Sequence, residues 1–247
     1  MEKPKILEGI HRRRLLEELH NRYAKPSSLG QRLWYLRKKY LWIIFVDGAQ
    51  LLKRCFDVVF SAILLVVISP LFLIIAGLIK LQDGGPTFYV TKRVGKWGKE
   101  FRFPKFRTME LDADQMKEQL VGRNEHPGDI RFKMKYDPRI TRLGRILRKS
   151  SLDELPQFWC VLKGEMSLVG PRPALPEEVA KYNLEQRKRL DALPGITCIW
   201  QVSGRSEIPF AQQVDLDIAY IESQSFSLDI KLLLKTIPAV LFGRGAY

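Results

Sequence analysis

Two adjacent carboxylates, Asp153 and Glu154, follow directly on Arg148-Lys149-Ser150-Ser151-Leu152, and Gly170-Pro171-Arg172-Pro173 comes after an apolar, helix-like run to Leu162. Acids beside a basic segment are the residue types needed for a carboxylate to attack a phosphate-bearing substrate while cations neutralise the charge. The same spacing has a structural reading. Ser151 followed three residues later by Glu154 is a capping box, and acids in a first helical turn complement the helix dipole. Pro156 cuts across this reading: it falls at the fifth helical position if Ser151 is the cap and at the third if Asp153 is. Locally, then, Asp153 is either a cap or a nucleophile.

The elements around this stretch must position it. Between Arg131 and Lys149 there are eight basic residues against one acid, Asp137, and Arg139, Arg142, Arg145 and Arg148 recur every three residues beside Ile140, Leu143 and Leu147. Such a run is ordinarily a solvated helix face or one lying on anionic headgroups, but Arg148 is the member closest to Asp153. Upstream, the turn cluster Asp83-Gly84-Gly85-Pro86 precedes Thr87–Val94, a turn around Gly95–Gly98, and Phe101–Met109, which predicts a β-hairpin carrying Lys105 and Arg107 about Phe106. Residues 110–121 are expected to be helical and 122–130 a loop. Downstream, 175–190 is expected to be helical. Trp200-Gln201-Val202-Ser203-Gly204-Arg205 groups an aromatic, an amide and an arginine, a set that suits a base and a phosphate and equally an ordinary turn with a solvated arginine.

Before the hairpin, Val58–Ile79 is uncharged for 22 residues, long enough to cross a bilayer core. Ser69-Pro70 lies at its midpoint, where proline removes a backbone hydrogen bond and forces a kink or break. Lys53 and Arg54 before it and Lys80, Lys92, Arg93, Lys96 and Lys99 after it give no sidedness. A segment that enters, bends and leaves on one face satisfies both observations; a kinked spanning helix is the alternative. Arg32–Leu52, with Trp34, Tyr35, Tyr40, Trp42 and Phe45 around Arg37, Lys38 and Lys39, has an interfacial composition, as does the tail Leu228–Phe242 with its Pro238. Residues 1–30, with Ile10, Leu15, Leu16 and Leu19 at helical spacing among Arg12, Arg13 and Arg14, read as a surface helix.

The formal charge of +14 and the isoelectric point near 9.8 imply a polyanionic partner: nucleic acid, an anionic membrane, or phosphorylated substrates. Cys55, Cys160 and Cys198 are too dispersed for a disulfide framework or a zinc site, which favours a reducing location, and no cleavable leader is expected.

Taken together, these stretches closely resemble the bacterial sugar transferase family, the monotopic phosphoglycosyl transferases. The resemblance is carried by Ser69-Pro70, Lys105-Phe106-Arg107-Thr108-Met109, Asp137-Pro138-Arg139, Ser151-Leu152-Asp153-Glu154-Leu155-Pro156, the run Gly164–Pro173, Pro194-Gly195-Ile196-Thr197, Trp200–Arg205 and Gly243-Arg244-Gly245-Ala246-Tyr247, and it covers about residues 50–247. It implies an α+β fold, mostly helical with a small β-hairpin, anchored by a re-entrant helix-break-helix and interfacial amphipathic helices. The organisation expected is an amino-terminal extension over 1–49, a membrane hairpin over 50–82 and a catalytic domain over 83–247. It further implies transfer of a sugar 1-phosphate from a UDP-sugar to polyprenyl (undecaprenyl) phosphate, releasing UMP, at the cytoplasmic face of the bacterial inner membrane. That reaction opens assembly of exopolysaccharide, lipopolysaccharide O-antigen or another glycan. Asp153 would be the nucleophile that carries the sugar phosphate covalently, with Glu154 its partner. Mg²⁺ would be held at Asp153 and Glu154, the substrate phosphates at Lys105, Arg107, Arg148 and Arg172, and the nucleotide at Trp200, Gln201 and Arg205. A homodimer is compatible with the resemblance, and a nucleic-acid partner is not expected. One position departs from the family, which usually has glycine where this chain has Cys198; a close approach of backbone to nucleotide there would be altered.

Two readings of other classes compete. A non-catalytic, membrane-bound basic scaffold would keep the anchor and the arginines but has no use for the carboxylate pair. A nucleic-acid-binding protein would fit the charge but not the anchor, and no nucleic-acid motif is present.

Overall fold

The computed structural model describes residues 29–113, 115–116, 137–204 and 207–242. Residues 1–28 of the surface helix expected over 1–30, most of the 110–130 helix and loop, Arg205 and the terminal Gly243–Tyr247 motif lie outside the described residues. The chain divides into two compact units, Met1–Leu52 and Lys53–Tyr247. Of the first, residues 29–52 are helical, with Trp34 exposed beneath the ammonium of Lys38 at 4.7 Å; the side chains of Tyr35, Tyr40, Trp42 and Phe45 are outside the description. One continuous helix, α1, runs over Leu29–Val67, where the sequence suggested separate segments before and after residue 50.

A second helix, α2 (Ser69–Asp83), follows with a bend of 59° against the Gly48–Val67 part of α1. Pro70 has no N–H to give the carbonyl of Val66, and the Ser69 hydroxyl donates to that oxygen instead at 2.8 Å. The bend therefore leaves no orphaned carbonyl at Val66. Among the described residues no single helix is long and apolar enough to cross a membrane; only the bent pair passes by length and composition.

One face of α2 is covered. Ile75 and Ile79 are buried with Phe106 and Leu147, and Phe72, Leu143, Leu152 and Leu155 pack around them. The other face is bare, with Leu73 and Leu81, like Val66 and Val67 on α1, more than two-thirds exposed. The charged turn of α1 is fixed to the rest of the second unit: Arg54 donates to the carbonyls of Val161 (2.7 Å) and Leu162 (3.0 Å), Lys53 pairs with buried Asp229, and buried Asp57 accepts from the Leu168 N–H at 3.3 Å. Burial pushes the Asp57 carboxyl up. Tyr220 completes this network, its hydroxyl lying 2.7 Å from Asp229 and 3.0 Å from the Val169 carbonyl.

The expected hairpin forms: β1 (Phe88–Val94) and β2 (Glu100–Phe106) pair antiparallel with Tyr89 opposite Lys105 and Thr91 opposite Phe103. Beyond β2, Thr108–Glu110 runs beside Arg139–Thr141, with Thr141 N–H donating to Thr108 O at 3.1 Å and Glu110 N–H to Arg139 O at 2.9 Å. Helix α3 (Arg142–Lys149) starts there, capped by Thr141, whose hydroxyl accepts from the Gly144 N–H at 2.9 Å. The arginine stripe is thus not one solvated helix face. Arg139 lies before the helix, buried and paired with Asp137 at 2.6 Å, and Arg148 turns inward.

A 3₁₀ helix, Leu152–Gln157, leads into α4 (Phe158–Lys163) and the short strand β3 (Ser167–Val169). The stretch expected as one helix over 175–190 is three short pieces, α5 (Pro176–Ala180), α6 (Leu184–Arg187) and a 3₁₀ turn over Lys188–Asp191. Strand β4 (Gly195–Thr197) pairs parallel with β3, and no Cβ fits between them: one built on Gly195 would lie 2.0 Å from the Gly170 nitrogen. Trp200–Gly204, read from the sequence as either a base-and-phosphate cluster or an ordinary turn, belongs mostly to α7 (Ile199–Ser203). Helices α8 (Phe210–Ser223) and α9 (Phe226–Phe242, with Pro238 inside) close the fold over a core of Phe101, Phe103, Cys160, Met166, Leu168 and Tyr220.

The register of α3 depends on Gly144, where an added Cβ would sit 2.0 Å from the Thr108 carbonyl oxygen. Gly144→Ala is expected to destabilise the fold by about 1–3 kcal/mol, because the helix must back away from Thr108. Denaturant midpoints of the two proteins measure this, and an unchanged midpoint would mean that α3 is not held there.

Candidate active site

Asp153 and Glu154 occupy the first turn of the 3₁₀ helix, but the capping box is not formed. Ser151 sits in the left-handed region at φ 56°, and its side chain makes no cap bond; the contact that remains is the Glu154 N–H donating to the Ser151 carbonyl at 3.3 Å. A strained non-glycine residue two positions before Asp153 turns the acids away from the capping geometry. It is the wall of an open cleft of about 1230 Å³ that Asp153 and Glu154 join, together with Lys105, Arg148, Arg172, Trp200 and Gln201.

Each cation arrives from a different element. Arg148, on the last turn of α3, donates Nε–H to the Thr108 hydroxyl at 2.9 Å. Lys105 projects from β2 with its ammonium 5.5 Å from the ring centre of Tyr89 opposite. Arg172 follows β3 and forks onto Glu154, with Nη2 2.6 Å from Oε1 and Nη1 3.5 Å from Oε2. Arg189 fixes the backbone of this segment: it is buried, bonds Asp217 at 2.8 Å and the Tyr182 hydroxyl at 2.8 Å, and reaches the Arg172 carbonyl at 3.5 Å. Arg107 behaves otherwise. Expected at the phosphates, it is ion-paired with Asp83 at the end of α2, so its charge is largely spent in tying the hairpin to that helix, although it too borders the cleft.

The electrostatics separate the two acids. Burial, and then the neighbouring Glu154 charge, push the Asp153 carboxyl up to about 6 despite Lys105, Arg148 and Arg172. Glu154 is also raised by burial, but Arg172, with Lys105 and Arg93, outweighs that and holds it below the usual glutamate range. Burial lowers the Lys105 ammonium to about 8, with Arg148 adding repulsion. At neutral pH the site therefore holds a firmly ionised, paired Glu154 beside an Asp153 carboxylate that its surroundings leave undercompensated. Such a carboxylate is available to form a bond.

The nucleotide residues expected from the sequence are partly brought here. Trp200 and Gln201 line the cleft, Trp200 being buried with its indole N–H unpartnered. Cys198 adopts an extended backbone (φ −149°), which does not require glycine, and its buried thiol donates to Gln201 Oε1 at 3.1 Å. The cysteine thus takes up one acceptor of the amide expected to meet nucleotide. Sequence reasoning missed Thr91 and Glu178, whose buried, unpartnered oxygens belong to residues lining the same cleft. An alternating strand carrying Tyr89, Thr91 and Arg93 was the available signal for the first; Glu178 was hidden in an acidic helix start.

The bacterial sugar transferase family matches residues 48–243. The galactosyl transferase CpsE of Streptococcus agalactiae is 51% identical over 166 residues, which are 67% of this chain and 37% of that protein. The exopolysaccharide production protein ExoY of Sinorhizobium fredii is 41% identical over 198 residues, 79% of this chain and 88% of ExoY. The undecaprenyl-phosphate galactose phosphotransferase of Salmonella typhimurium is 43% identical over 205 residues, 81% of this chain and 42% of that enzyme. The chain spans less than half the length of the streptococcal and Salmonella proteins and most of the length that ExoY has. With four-fifths of its residues matched and the carboxylates, cations and Ser-Pro bend inside the match, the chain belongs to the bacterial sugar transferase family.

Proposed function

We propose that the protein transfers a sugar 1-phosphate from a UDP-sugar to polyprenyl (undecaprenyl) phosphate through a covalent aspartyl intermediate, with Asp153 as the nucleophile. The observation that carries this reading is the pair of unequal carboxylates, Asp153 undercompensated and Glu154 neutralised by Arg172, at the convergence of Lys105 and Arg148 in an open cleft. The names of relatives support the acceptor and the pathway: undecaprenyl-phosphate galactose and glucose phosphotransferases and exopolysaccharide production proteins.

In the first step an Asp153 carboxylate oxygen attacks the β-phosphorus of the UDP-sugar. The bond from that phosphorus to the bridging oxygen breaks, UMP departs with the electron pair, and an acyl phosphate joins Asp153 to the sugar. In the second step a phosphate oxygen of the lipid attacks the same phosphorus; the aspartyl–phosphorus bond breaks, the carboxylate is restored and the lipid diphosphosugar leaves. Lys105, Arg148 and Arg172 screen the approach of one anion to another. Among the described residues no three metal-binding side chains cluster, so these residues alone offer no full cage. An Asp153–Glu154 pair beside a diphosphate fits Mg²⁺, which binds through one or two carboxylates plus substrate oxygens and would there supply charge neutralisation.

The bent α1–α2 pair, bare on its outer face, suits insertion into one leaflet on the cytoplasmic side, which would hold the cleft at headgroup level where a soluble donor and a lipid acceptor meet. A scaffold that recruits acidic partners gives no role to the unequal acids.

Intact-mass analysis of protein in nanodiscs with UDP-sugar and Mg²⁺ but no acceptor is expected to show a gain of one sugar phosphate, absent in Asp153→Asn. Turnover without any adduct would replace the covalent route by direct transfer, and neither adduct nor turnover would restore the scaffold reading.

Adduct formation needs Asp153 ionised and Lys105 protonated. Its rate should rise as pH increases through about 6, fall again above about 8, and lose the upper limb in Lys105→Arg; a flat profile across this range would remove both residues from the step.

The raised Asp153 carboxyl also has a stability consequence. Its contribution is fully present below the ordinary value of 3.8 and is lost as pH rises through about 6, so the ionised group costs on the order of 2–3 kcal/mol at pH 7. Asp153→Asn is therefore expected to raise the thermal midpoint at pH 7 by several degrees while abolishing the adduct; a lowered midpoint would show that the cations overcompensate the charge.

A further inference from the structure

Four buried polar atoms without a hydrogen-bond partner belong to residues that line the cleft: Thr91 Oγ1, Arg107 Nη1, Glu178 Oε1 and Trp200 Nε1. Unserved buried polar atoms are costly in a fold, and where their residues line one cleft a bound molecule can supply the missing partners. Of the four, only Glu178 brings a negative charge. It is 5% exposed, and its other oxygen, Oε2, accepts from the Leu175 N–H at 3.4 Å, a long bond that helps to start α5. Glu154 is paired by Arg172, whereas Glu178 has no cation bonded to it among the described residues to offset a diphosphate's charge, and a carboxylate oxygen is a strong acceptor for a hydroxyl group.

The hairpin relates these residues to the cations of the site. Tyr89, Thr91 and Arg93 share one face of β1, by the two-residue period of a strand. Tyr89 is paired with Lys105, and Arg93 reaches the Pro173 carbonyl at 3.3 Å. Helix α5 packs against β1, and Val94 N–H donates to Ala174 O at 2.9 Å, so the segment carrying Glu178 is registered against this strand. Thr91 stands roughly 7 Å along the strand from Tyr89, the residue opposite Lys105, a spacing of about one hexose ring.

We propose that Glu178 and Thr91 form the hydroxyl-recognition subsite for the transferred sugar, Glu178 Oε1 accepting from one ring hydroxyl and Thr91 contributing to another. The inference rests on the transferase reading above and deepens it: the donor is a hexose with free equatorial or axial hydroxyls at this wall, and the subsite discriminates between epimers. Neither side chain takes part in the bond changes at phosphorus.

The test uses full-length protein in nanodiscs and compares wild type, Glu178→Gln and Thr91→Val. Glutamine keeps an acceptor for the Leu175 N–H, and valine keeps the strand's shape. The expected result is a roughly 10- to 100-fold fall in kcat/KM for the preferred UDP-hexose in Glu178→Gln, a smaller fall in Thr91→Val, and collapse of the ratio between that donor and its C4 epimer. Affinity for UMP and the thermal midpoint should stay at wild-type values. An unchanged epimer ratio in both variants would overturn the subsite, and so would a parallel loss of UMP affinity, which would make this wall the nucleotide's. Wild-type protein that forms no sugar-phosphate adduct with any UDP-hexose would instead overturn the transferase reading, and this inference with it.

Discussion

Two carboxylates on consecutive residues cannot both stay ionised in a partly buried place unless cations are brought to them, and most of the catalytic unit serves that requirement. Lys105 comes from a hairpin, Arg148 from the end of a helix and Arg172 from the exit of a short parallel strand pair, so three segments far apart in sequence must converge on one turn. Supporting contacts fix each of them: Thr108 holds Arg148, Tyr89 lies beside Lys105, and Arg189 with Asp217 braces the backbone of Arg172. The neutralisation is uneven. Arg172 is committed to Glu154, which leaves Asp153 as the acid whose charge is least well compensated.

Close packing of backbone sets how narrowly these parts may move. Gly144 lets α3 lie against Thr108, and Gly170 and Gly195 let β3 and β4 approach without side chains between them. Gly144 lies one helical turn before Arg148, and Gly170 two residues before Arg172. The glycines therefore act on the chemistry through position, without touching a substrate.

The local pattern left Asp153 as either cap or nucleophile, and its role came from the family resemblance, while the carboxylates, Lys105, Arg148, Arg172 and the Ser69-Pro70 bend stood out as candidates through side-chain type and a few sequence neighbours. The hairpin was legible for the same reason, with a turn cluster at one end and glycines at its tip. The parallel pair β3–β4 was not: each strand has three residues, and the partners are 28 positions apart, Ser167 facing Gly195. Helix α8 was hidden because Gln213 and Asp217 interrupt its apolar face, and both are buried for hydrogen bonding. The partner of a cation was equally out of reach: Arg107 and Arg172 look alike in sequence, yet one pairs with Asp83 and the other with Glu154. The capping box failed for a local reason that spacing does not reveal, the left-handed turn at Ser151.

Helix α2 contributes Ile75 and Ile79 to the same apolar cluster that holds Phe106, Leu147, Leu152 and Leu155, which flank Lys105, Arg148 and the acid pair in sequence. The apolar helix pair is thus a structural member of the catalytic unit and not a tether attached to it. Deleting it to obtain a water-soluble fragment would strip the underside of the reaction centre, so the soluble enzyme that such trimming yields for tethered proteins is denied here by construction. Solubilisation has to proceed by covering the bare outer face, with detergent, lipid or redesigned polar side chains, while the inner face stays as it is.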